Sequence, residues 1–272
     1  MLKLQYCVPH TLTRRYVTLE FNVSDSDYEI FYRYRAISVN TLMEIATASF
    51  FASKPENFND PFDCGLQWLK NSNDELFAHL AYLGKDANEE SLNEIRSASL
   101  SFQKTISREI SELGVTCFTS EPLHPLMWAH YGDCHRGICI GYKQEGILKD
   151  EDHFKPVSYD RPKKVALDAI RLCRDNLESL SDTLEDIVFR KLPEWEYENE
   201  WRLMVMRPAD RLISLPSPVE SVTFGLKCPV NNIDQVLNIL RLNYLSGVTK
   251  FYQVIINESG ELERKRINLP IA

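Results

Sequence analysis

The segment "PEWEYENEWRL", residues 193–203, carries a glutamate at every second position and then an arginine on the same count. Mostly aromatic residues fill the positions between the acids. Since the side chains of a strand alternate between its two faces, the pattern predicts a β-strand with one acidic face and one aromatic face. Stacked like charges destabilise a strand. The aromatic face would fix the acids on a rigid element, as an active site requires.

Glu198 and Glu200 are the candidate catalytic pair of this segment. A period of two places them on one face of a strand, about 7 Å apart. A carboxylate pair near that separation raises at least one pKa unless a cation compensates, and Arg202 follows on the same face as a candidate partner or ligand-binding residue. The alternative interpretation is a solvated strand face on which Arg202 pairs with Glu200.

An earlier segment, "YRYR" at residues 32–35, also alternates. Its spacing separates Tyr32 and Tyr34 from Arg33 and Arg35, so two guanidinium groups share one face of a predicted strand. Paired arginines clamp a phosphate or a carboxylate through parallel hydrogen bonds, a geometry that lysine does not reproduce. The alternative is a surface strand whose arginines pair with some of the acids that the chain has in excess.

The segment "FASKPENFNDPFD", residues 51–63, predicts a binding loop. A strand that ends at Ser53 leads into a stretch rich in proline, asparagine and aspartate, which favours turns. Loops on a rigid scaffold carry binding residues disproportionately often. Ser53, Asn59 and Asp60 present short polar groups that suit hydrogen bonds to a ribose or an amide. The alternative is that these side chains only cap turns.

The segment "LMWAHYGDCHRGICIGY", residues 126–142, concentrates aromatic and imidazole side chains. We expect Trp128 and Tyr131 to form a wall of the site, and His130 or His135 to hydrogen-bond a substrate or the neighbouring backbone. Zinc bound by these histidines and cysteines is a weaker alternative, because the spacing matches no common zinc pattern. A Cys134 nucleophile and a purely structural histidine are further alternatives.

The other segments alternate between strand and helix without regular βαβ repetition. Strands are predicted over residues 29–35, 49–53, 115–120, 137–142, 193–203, 220–226 and 250–257. Helices are predicted over residues 39–48, 74–83, 88–113, 163–191 and 233–242. The near-continuous apolar run at 137–142 predicts a central strand. The succession as a whole predicts an α+β fold with a mixed, largely antiparallel sheet and inserted helices.

The predicted organisation is one α+β domain over residues 29–272, with a helical insertion at about 65–113 and an N-terminal appendage at 1–28. The formal net charge of −8 argues against broad electrostatic binding to nucleic acid or acidic membranes, but it is compatible with a local basic patch. No apolar run is long enough to span a bilayer, and no secretion signal is evident. Seven scattered cysteines suit reduced thiols. We therefore expect a cytoplasmic protein without a membrane partner.

Taken in order, several segments resemble the bacterial family called domain of unknown function 2971. The segments are "YRYR", "FASKPENFNDPFDC", "VTCFTS", "LMWAHYGDCHRGICIGY" and "WEYENEWRL". The resemblance covers about residues 30–226. The family name carries no activity. Similarity in style to bacterial accessory and phage-defence proteins implies a cytoplasmic setting.

A second resemblance implies a mechanism. ADP-ribosyltransferases of the Arg-Ser-Glu type present, in chain order, a basic residue on an early strand, a serine that closes a later strand, and a Glu-x-Glu strand. Arg33 or Arg35, Ser53 and Glu198-Asn199-Glu200 occur in that order. The resemblance implies an ADP-ribosyltransferase-like fold, NAD as the substrate and no metal. The acceptor would be water or a macromolecule, either protein or nucleic acid.

The same resemblance implies a role for each residue. The arginine would hold the pyrophosphate of NAD through charge-assisted hydrogen bonds. Ser53 would support the ribose, and Phe51 or Tyr32 would stack on the nicotinamide. Glu200 would bind a ribose hydroxyl and stabilise an oxocarbenium-like transition state. Glu198 would orient or deprotonate the acceptor.

Two other functions stay open. A non-catalytic sensor or adaptor that binds a nucleotide or a protein agrees with the aromatic-rich strands and with Phe58 and Phe62 in the binding loop. A nuclease would hold a divalent metal between Glu198, Glu200 and Asp60. The net negative charge makes that reading weaker, because it attracts a phosphodiester backbone poorly.

Overall fold

The structure is a computed structural model. It describes residues 29–65, 89–147, 154–160, 184–205, 210–214, 219–242 and 249–267. The predicted appendage at 1–28, the predicted helix at 74–83 and residues 163–183 of the predicted helix at 163–191 lie outside the described residues. The division into an appendage and a single domain with an insertion stays a prediction.

The described elements mix strands and helices along the whole chain, as an α+β fold requires. The strands are β1 (Ile30–Arg35), β2 (Ser49–Ala52), β3 (Gly114–Thr119), β4 (Ile138–Lys143), β5 (Phe154–Pro156), β6 (Ser158–Tyr159), β7 (Arg190–Lys191), β8 (Glu200–Val205), β9 (Arg211–Ser214), β10 (Ser221–Phe224), β11 (Lys250–Ile256) and β12 (Leu262–Arg266). The α-helices are α1 (Val39–Ala46), α2 (Glu89–Glu112), α3 (Pro125–His130), α4 (Gln144–Ile147) and α5 (Val230–Leu242). The 3₁₀ helices are Pro55–Asn57, Asp63–Gly65 and Pro193–Glu198.

Eight strands form one sheet in the order β12-β11-β10-β4-β1-β3-β8-β5. The neighbours β10 and β11 run parallel, and the other neighbouring pairs are antiparallel. The apolar strand β4 lies inside the sheet between β1 and β10. The predictions of an α+β fold, of a mixed and largely antiparallel sheet and of a central position for β4 are therefore confirmed.

One face of the sheet is buried beneath helices. Phe31 and Ile140 of the sheet belong to one apolar cluster with Ile45 of α1 and Val236 and Leu240 of α5. The two α5 residues are four positions apart, so they lie on the same helical face. This cluster supplies the main core. Arg33 and Arg35 lie on the same face, since Arg33 pairs with Ile140 and contacts Glu44 of α1.

The opposite face carries aromatic and charged side chains. Tyr32 of β1 packs in a second cluster with Trp128 of α3. The register pairs Tyr32 with Thr119, and Thr119 with Glu200. Since paired residues of neighbouring strands point to the same face, Glu200 and Arg202, two positions later, share the face of Tyr32.

The neighbouring strands β1 and β3 diverge. They pair through Tyr32 and Thr119, whereas β1 pairs with β4 along its whole length. The beginning of β3 pairs instead with the residue after β2, because Ser53 and Val115 exchange both backbone hydrogen bonds. The second half of β1 is thus separated from β3, and a cleft opens between them.

The segment 193–203 is not one strand, which corrects the prediction. Residues Pro193–Glu198 form a 3₁₀ helix, and β8 begins at Glu200. Pro193 occupies the first turn, where a proline suits a helix start. Asn199 joins the two elements in a left-handed conformation with φ 43°, which asparagine tolerates better than most residues. Glu198 and Glu200 therefore come from different elements rather than from one strand face.

Two further boundaries differ from the prediction. The predicted helix at 163–191 does not reach its expected end, because helical residues stop at 188 and β7 follows. The edge strand β12 was not predicted at all. Its sequence "LERKR" is rich in charged residues, which are depleted in most strands but common on sheet edges.

Candidate functional site

The cleft between β1 and β3 has a volume of about 460 Å³, within the range of small-molecule sites. It brings together eight of the residues singled out in the sequence. These are Tyr32, Arg33, Arg35, Ser53, Asn59, Asp60, Tyr131 and Glu200. Four segments that are distant in the sequence therefore meet at one concave surface.

A buried group of five charged side chains borders the cleft. We call it the acidic cluster, and it consists of Asp63, Lys191, Glu198, Glu200 and Arg202, each at most 5% exposed. Three carboxylates against two cations give it a formal net charge of −1. Lys191 and Glu200 line the cleft with Asp63, whereas Glu198 and Arg202 lie behind them.

Glu200 is held by two cations. Arg202 donates from Nε to Glu200 Oε1 at 2.6 Å and from Nη2 to Oε2 at 3.1 Å. Lys191 Nζ donates to Glu200 Oε2 at 2.9 Å. The backbone N–H of Glu200 donates to the Tyr159 hydroxyl at 2.7 Å. These contacts fix the carboxylate in one position at the cleft surface.

The rest of the cluster ties distant segments to Glu200. Lys191 Nζ also donates to Glu198 Oε2 at 2.6 Å. Arg202 Nη2 also donates to Asp63 Oδ1 at 2.7 Å. Asp63 comes from the binding loop and Lys191 from β7, so the cluster joins the loop and the segment before β8 to the sheet.

The two glutamates have pKa values that move in opposite directions. Burial opposes the ionisation of Glu200, but the charges of Arg202 and Lys191 outweigh it and hold its pKa well below the usual range. Burial raises the pKa of Glu198, and the charge of Glu200 adds to the increase against the pull of Lys191. Neighbouring carboxylates with diverging pKa values are typical of acid–base sites. Glu200 is thus a fixed anion, and Glu198 is the member suited to carry a proton.

Tyr131 connects Glu198 to the cleft. Its hydroxyl donates to Glu198 Oε1 at 2.8 Å, and its side chain lines the cleft. Burial, together with the charge of Glu198, raises the pKa of the Tyr131 hydroxyl far above its usual range. The neutral Tyr131 hydroxyl would therefore connect Glu198 to a molecule bound in the cleft.

An arginine pair forms another part of the cleft wall. Arg33 Nη1 lies 3.3 Å from Glu44 Oε2, and Arg35 Nη2 lies 2.8 Å from Glu44 Oε1. Two arginines share one carboxylate, so this group has a formal net charge of +1. In the described part of the chain, the buried Nε of Arg35 has no hydrogen-bond partner. The Arg35 side chain is 29% exposed, so this part of the cleft wall has positive charge that Glu44 does not neutralise.

Aromatic rings also line the cleft. Tyr32, Phe51, Phe58 and Trp195 all contribute to the lining. Trp195 donates from Nε1 to Asp60 Oδ2 at 2.8 Å, so the carboxylate of Asp60 is engaged by the protein. Flat aromatic walls and a few fixed polar groups are the usual composition of a small-molecule site.

Four predicted site residues do not line the cleft. Trp128 is fully buried and donates from Nε1 to Pro122 O at 3.2 Å, so it supports the site from the core instead of forming its wall. His130 is exposed, with its ring near Tyr131. Glu198 and Arg202 lie behind the surface, as described above. The sequence analysis missed Glu44, Asp63 and Lys191, which no local spacing distinguishes.

The metal and cysteine alternatives gain no support from these positions. Among the residues that the structure describes, no group of three or more histidine, cysteine, aspartate or glutamate side chains is arranged to hold a metal ion. Cys139 is buried, whereas Cys134 is exposed in a turn in which Asp133, Cys134 and His135 all have positive φ. The carboxylates that a nuclease would need, Glu198 and Glu200, are occupied by Lys191 and Arg202.

Within the described residues, no helix is long and apolar enough to cross a membrane.

Comparison with known proteins gives one family match. A search of curated proteins and a search of solved structures each found no match. Residues 127–203 match the model of the family described as "Protein of unknown function (DUF2971)". The matched segment contains Tyr131, Lys191, Glu198 and Glu200, and it supports the resemblance to that family.

Proposed function

We propose that the chain binds NAD in this cleft and cleaves the bond between nicotinamide and ribose, transferring ADP-ribose to an acceptor or to water. One observation carries the proposal. The arginine pair has a net charge of +1 and the acidic cluster a net charge of −1, and both border one aromatic-lined cleft. NAD has an anionic pyrophosphate and a cationic nicotinamide ring, so its charges complement the two ends.

The binding roles follow from the contacts of each end. Arg35 would donate from the exposed part of its guanidinium group to the pyrophosphate, since a charge-assisted hydrogen bond is stronger than a neutral one. Tyr32 or Phe51 would stack on the nicotinamide, and Ser53 would support the ribose. Glu200 would accept from a ribose hydroxyl and stabilise the positive charge that develops on the ribose. A carboxylate whose pKa is lowered stays ionised and suits that role.

The chemical step uses the second glutamate. The bond between ribose C1′ and the nicotinamide nitrogen breaks, and its electron pair leaves with nicotinamide, which becomes neutral. A lone pair of the acceptor forms the new bond to C1′. The acceptor proton passes to the Tyr131 oxygen while the Tyr131 proton passes to Glu198. The raised pKa of Glu198 favours this transfer.

A second candidate function is a nucleotide sensor without catalysis. Both oxygens of Glu200 already accept hydrogen bonds from Arg202, and one of them also from Lys191. A carboxylate that is fully paired without a ligand is compatible with a structural role. In that case the cleft would bind a nucleotide, and nicotinamide would not be released.

The experiment measures nicotinamide release from NAD with and without candidate acceptors. Removal of one transition-state electrostatic contact lowers kcat by about 10²–10³-fold, so we expect that loss in Glu200→Gln. Glu196→Gln is the matched control. It makes the same substitution at an exposed glutamate on the 3₁₀ helix that contains Glu198. Unfolding curves of each variant separate a lost activity from a lost fold.

Binding of NAD to the unsubstituted protein, measured by calorimetry, separates the two candidate functions. Binding without nicotinamide release under any condition supports the sensor and rejects the enzyme. Absence of NAD binding rejects the enzyme and a sensor of NAD. Equal release by the unsubstituted protein and by folded Glu200→Gln rejects the role of Glu200.

A further inference from the structure

The edge strand β12 carries three consecutive cations, Arg264, Lys265 and Arg266. Lys265 and Arg266 are exposed, and Arg264 is half-buried. Within the described residues, none of the three forms an ion pair with a carboxylate. Three unpaired cations in a row are a local positive patch on a chain whose formal net charge is −8.

Two of these cations are interleaved with tyrosines. The Arg264 guanidinium carbon lies 4.0 Å from the centre of the Tyr252 ring and 5.5 Å from that of Tyr32. The Arg266 guanidinium carbon lies 6.0 Å from the centre of the Tyr252 ring. The register pairs Arg266 with Tyr252, so Arg264 and Arg266 share the face of Tyr252, while Lys265 points to the other face. We call Tyr32, Tyr252, Arg264 and Arg266 the β12 ladder.

The β12 ladder reaches the cleft. Arg264 Nη1 lies 3.1 Å from the Tyr32 hydroxyl, and the Tyr32 side chain lines the cleft. Gly141 lies between them on β4, and a Cβ there would approach Tyr32 Cε1 to 3.1 Å and Ser221 Oγ to 2.4 Å. The glycine therefore leaves the room in which Arg264 and Tyr32 meet across the sheet. Arg264 of the ladder thus contacts a residue of the cleft wall.

We infer that the β12 ladder binds a single-stranded nucleic acid, which would be the acceptor presented to the cleft. Phosphates would pair with Arg264 and Arg266, and bases would stack against Tyr252 and the guanidinium planes. Aromatic rings interleaved with arginines are typical of surfaces that bind single strands without sequence preference. An acidic peptide would use the charges but not the stacking planes. The acceptor role rests on the proposed function, whereas the binding does not.

Fluorescence anisotropy with labelled single-stranded RNA and DNA of about 12 nucleotides tests the inference. With two phosphate contacts, the logarithm of the binding constant should fall with the logarithm of salt concentration with a slope of about −1.4. The variant Arg264→Gln/Lys265→Gln/Arg266→Gln should bind at least tenfold more weakly and lose most of that slope. The control Lys104→Gln/Arg108→Gln/Arg241→Gln removes the same charge from exposed positions on α2 and α5 and should bind as the unsubstituted protein does.

A further variant separates stacking from charge. Tyr252→Leu should weaken binding several-fold and leave the salt slope nearly unchanged. Polyglutamate that binds through β12 as tightly as the oligonucleotide would overturn the inference in favour of an acidic peptide. Equal binding by the two triple variants, or no binding by the unsubstituted protein, would also overturn it. In those cases the edge cations would serve only to prevent edge-to-edge pairing of strands.

The oligonucleotide test and the nicotinamide test can fail separately. Oligonucleotide binding through β12 without nicotinamide release would reject the proposed enzyme and retain the docking surface. Nicotinamide release without oligonucleotide binding would retain the enzyme and reject this acceptor. Transfer of labelled ADP-ribose to the oligonucleotide, lost in the β12 triple variant and retained in its control, would support both.

Discussion

The arginine pair and the acidic cluster both consist of carboxylates and cations, but they join chain segments that are separated by different distances in the sequence. The arginine pair comes from β1 and α1, and Arg33 and its partner Glu44 are 11 positions apart. The acidic cluster joins the binding loop, β7, a 3₁₀ helix and β8, and Asp63 and Arg202 are 139 positions apart. The arginine pair is partly open to solvent through Arg35, whereas every member of the acidic cluster is buried.

This difference assigns different physical roles to the two groups. A buried charge is costly unless it is paired, so removing one partner from a buried cluster leaves a charge without compensation. The acidic cluster must therefore hold four chain segments together before it can act on a ligand. A partly exposed arginine is solvated when it loses its partner, so changes at the arginine pair should affect anion binding more than folding.

The largest expected effect is at the centre of the acidic cluster. Arg202→Met leaves Glu200 and Asp63 without their shared arginine, because Arg202 Nη2 contacts both carboxylates. Breaking a buried ion pair by removal of one partner costs about 3–5 kcal/mol, so the free energy of unfolding should fall by about that amount. Urea titration followed by circular dichroism measures the loss.

The double variant Arg202→Met/Glu200→Leu is the control for this loss. It removes a cation and an anion together, so less charge is left uncompensated than in the single variant. Residues in one ion-pair network are coupled by about 0.5–3 kcal/mol, and the double variant should be more stable than the sum of the two single losses. A single-variant loss below about 1 kcal/mol would show that the cluster does not hold the segments together.

A smaller effect on folding is expected at the arginine pair. Glu44→Gln removes the carboxylate that Arg33 and Arg35 share. An unsatisfied buried partner costs about 1–3 kcal/mol. Arg33 is buried and loses its partner, whereas the partly exposed Arg35 is solvated, so the loss should lie within that range. The net charge of the group rises from +1 to +2, so inorganic pyrophosphate should bind several-fold more tightly.

Calorimetric titration with pyrophosphate measures that change. Arg35→Gln is the opposite control and should weaken pyrophosphate binding, because it removes the group that carries the unpartnered donor. Weaker binding by Glu44→Gln than by the unsubstituted protein would contradict an anion site at this end. A stability loss as large as that of Arg202→Met would remove the distinction between the two ends of the cleft.

The contrast between the sequence-local arginine pair and the long-range acidic cluster also explains what the sequence could predict. Arg33 and Arg35 alternate with Tyr32 and Tyr34 on one strand, so their shared face follows from local spacing. Ser53 marks the end of β2 for a similarly local reason. Lys191 and Asp63 carry no such signal, because their role depends on segments that meet only in the folded chain. The fold class was predictable for the same reason. The spacing of apolar residues that indicates a strand or a helix depends only on residues near each other in the sequence.

Two errors of prediction also have physical causes. The alternating acids of 193–203 indicated a strand, but Pro193 starts a 3₁₀ helix and Asn199 adopts a left-handed conformation before β8 begins. When a segment begins with proline, a period of two in the sequence does not distinguish one continuous strand from a 3₁₀ helix followed by a strand. Trp128 was expected in the cleft wall and lies in the core, because an aromatic side chain suits either place and sequence alone does not choose between them.

The smallest expected effect distinguishes the two glutamates within the acidic cluster. The folded pKa of Glu200 is below the unfolded value of about 4.3. Its ionisation therefore stabilises the fold above that value, and the contribution is lost as pH falls through the folded pKa. The folded pKa of Glu198 is raised. Its ionisation therefore opposes folding, and stability is lost as pH rises from the unfolded value through the folded one.

The two glutamine variants should consequently show opposite trends with pH. The stability loss of Glu200→Gln should be nearly constant from neutral pH down to the unfolded pKa of about 4.3 and should shrink below it. Glu198→Gln keeps an acceptor for Tyr131 and removes the charge that burial disfavours. It should therefore cost less than Glu44→Gln near neutral pH and become relatively less favourable in acid. Urea titrations from about pH 2 to about pH 7 measure both trends. Parallel trends would mean that the two carboxylates are electrostatically equivalent, and the assignment of Glu200 as fixed anion and Glu198 as proton carrier would then have no physical basis.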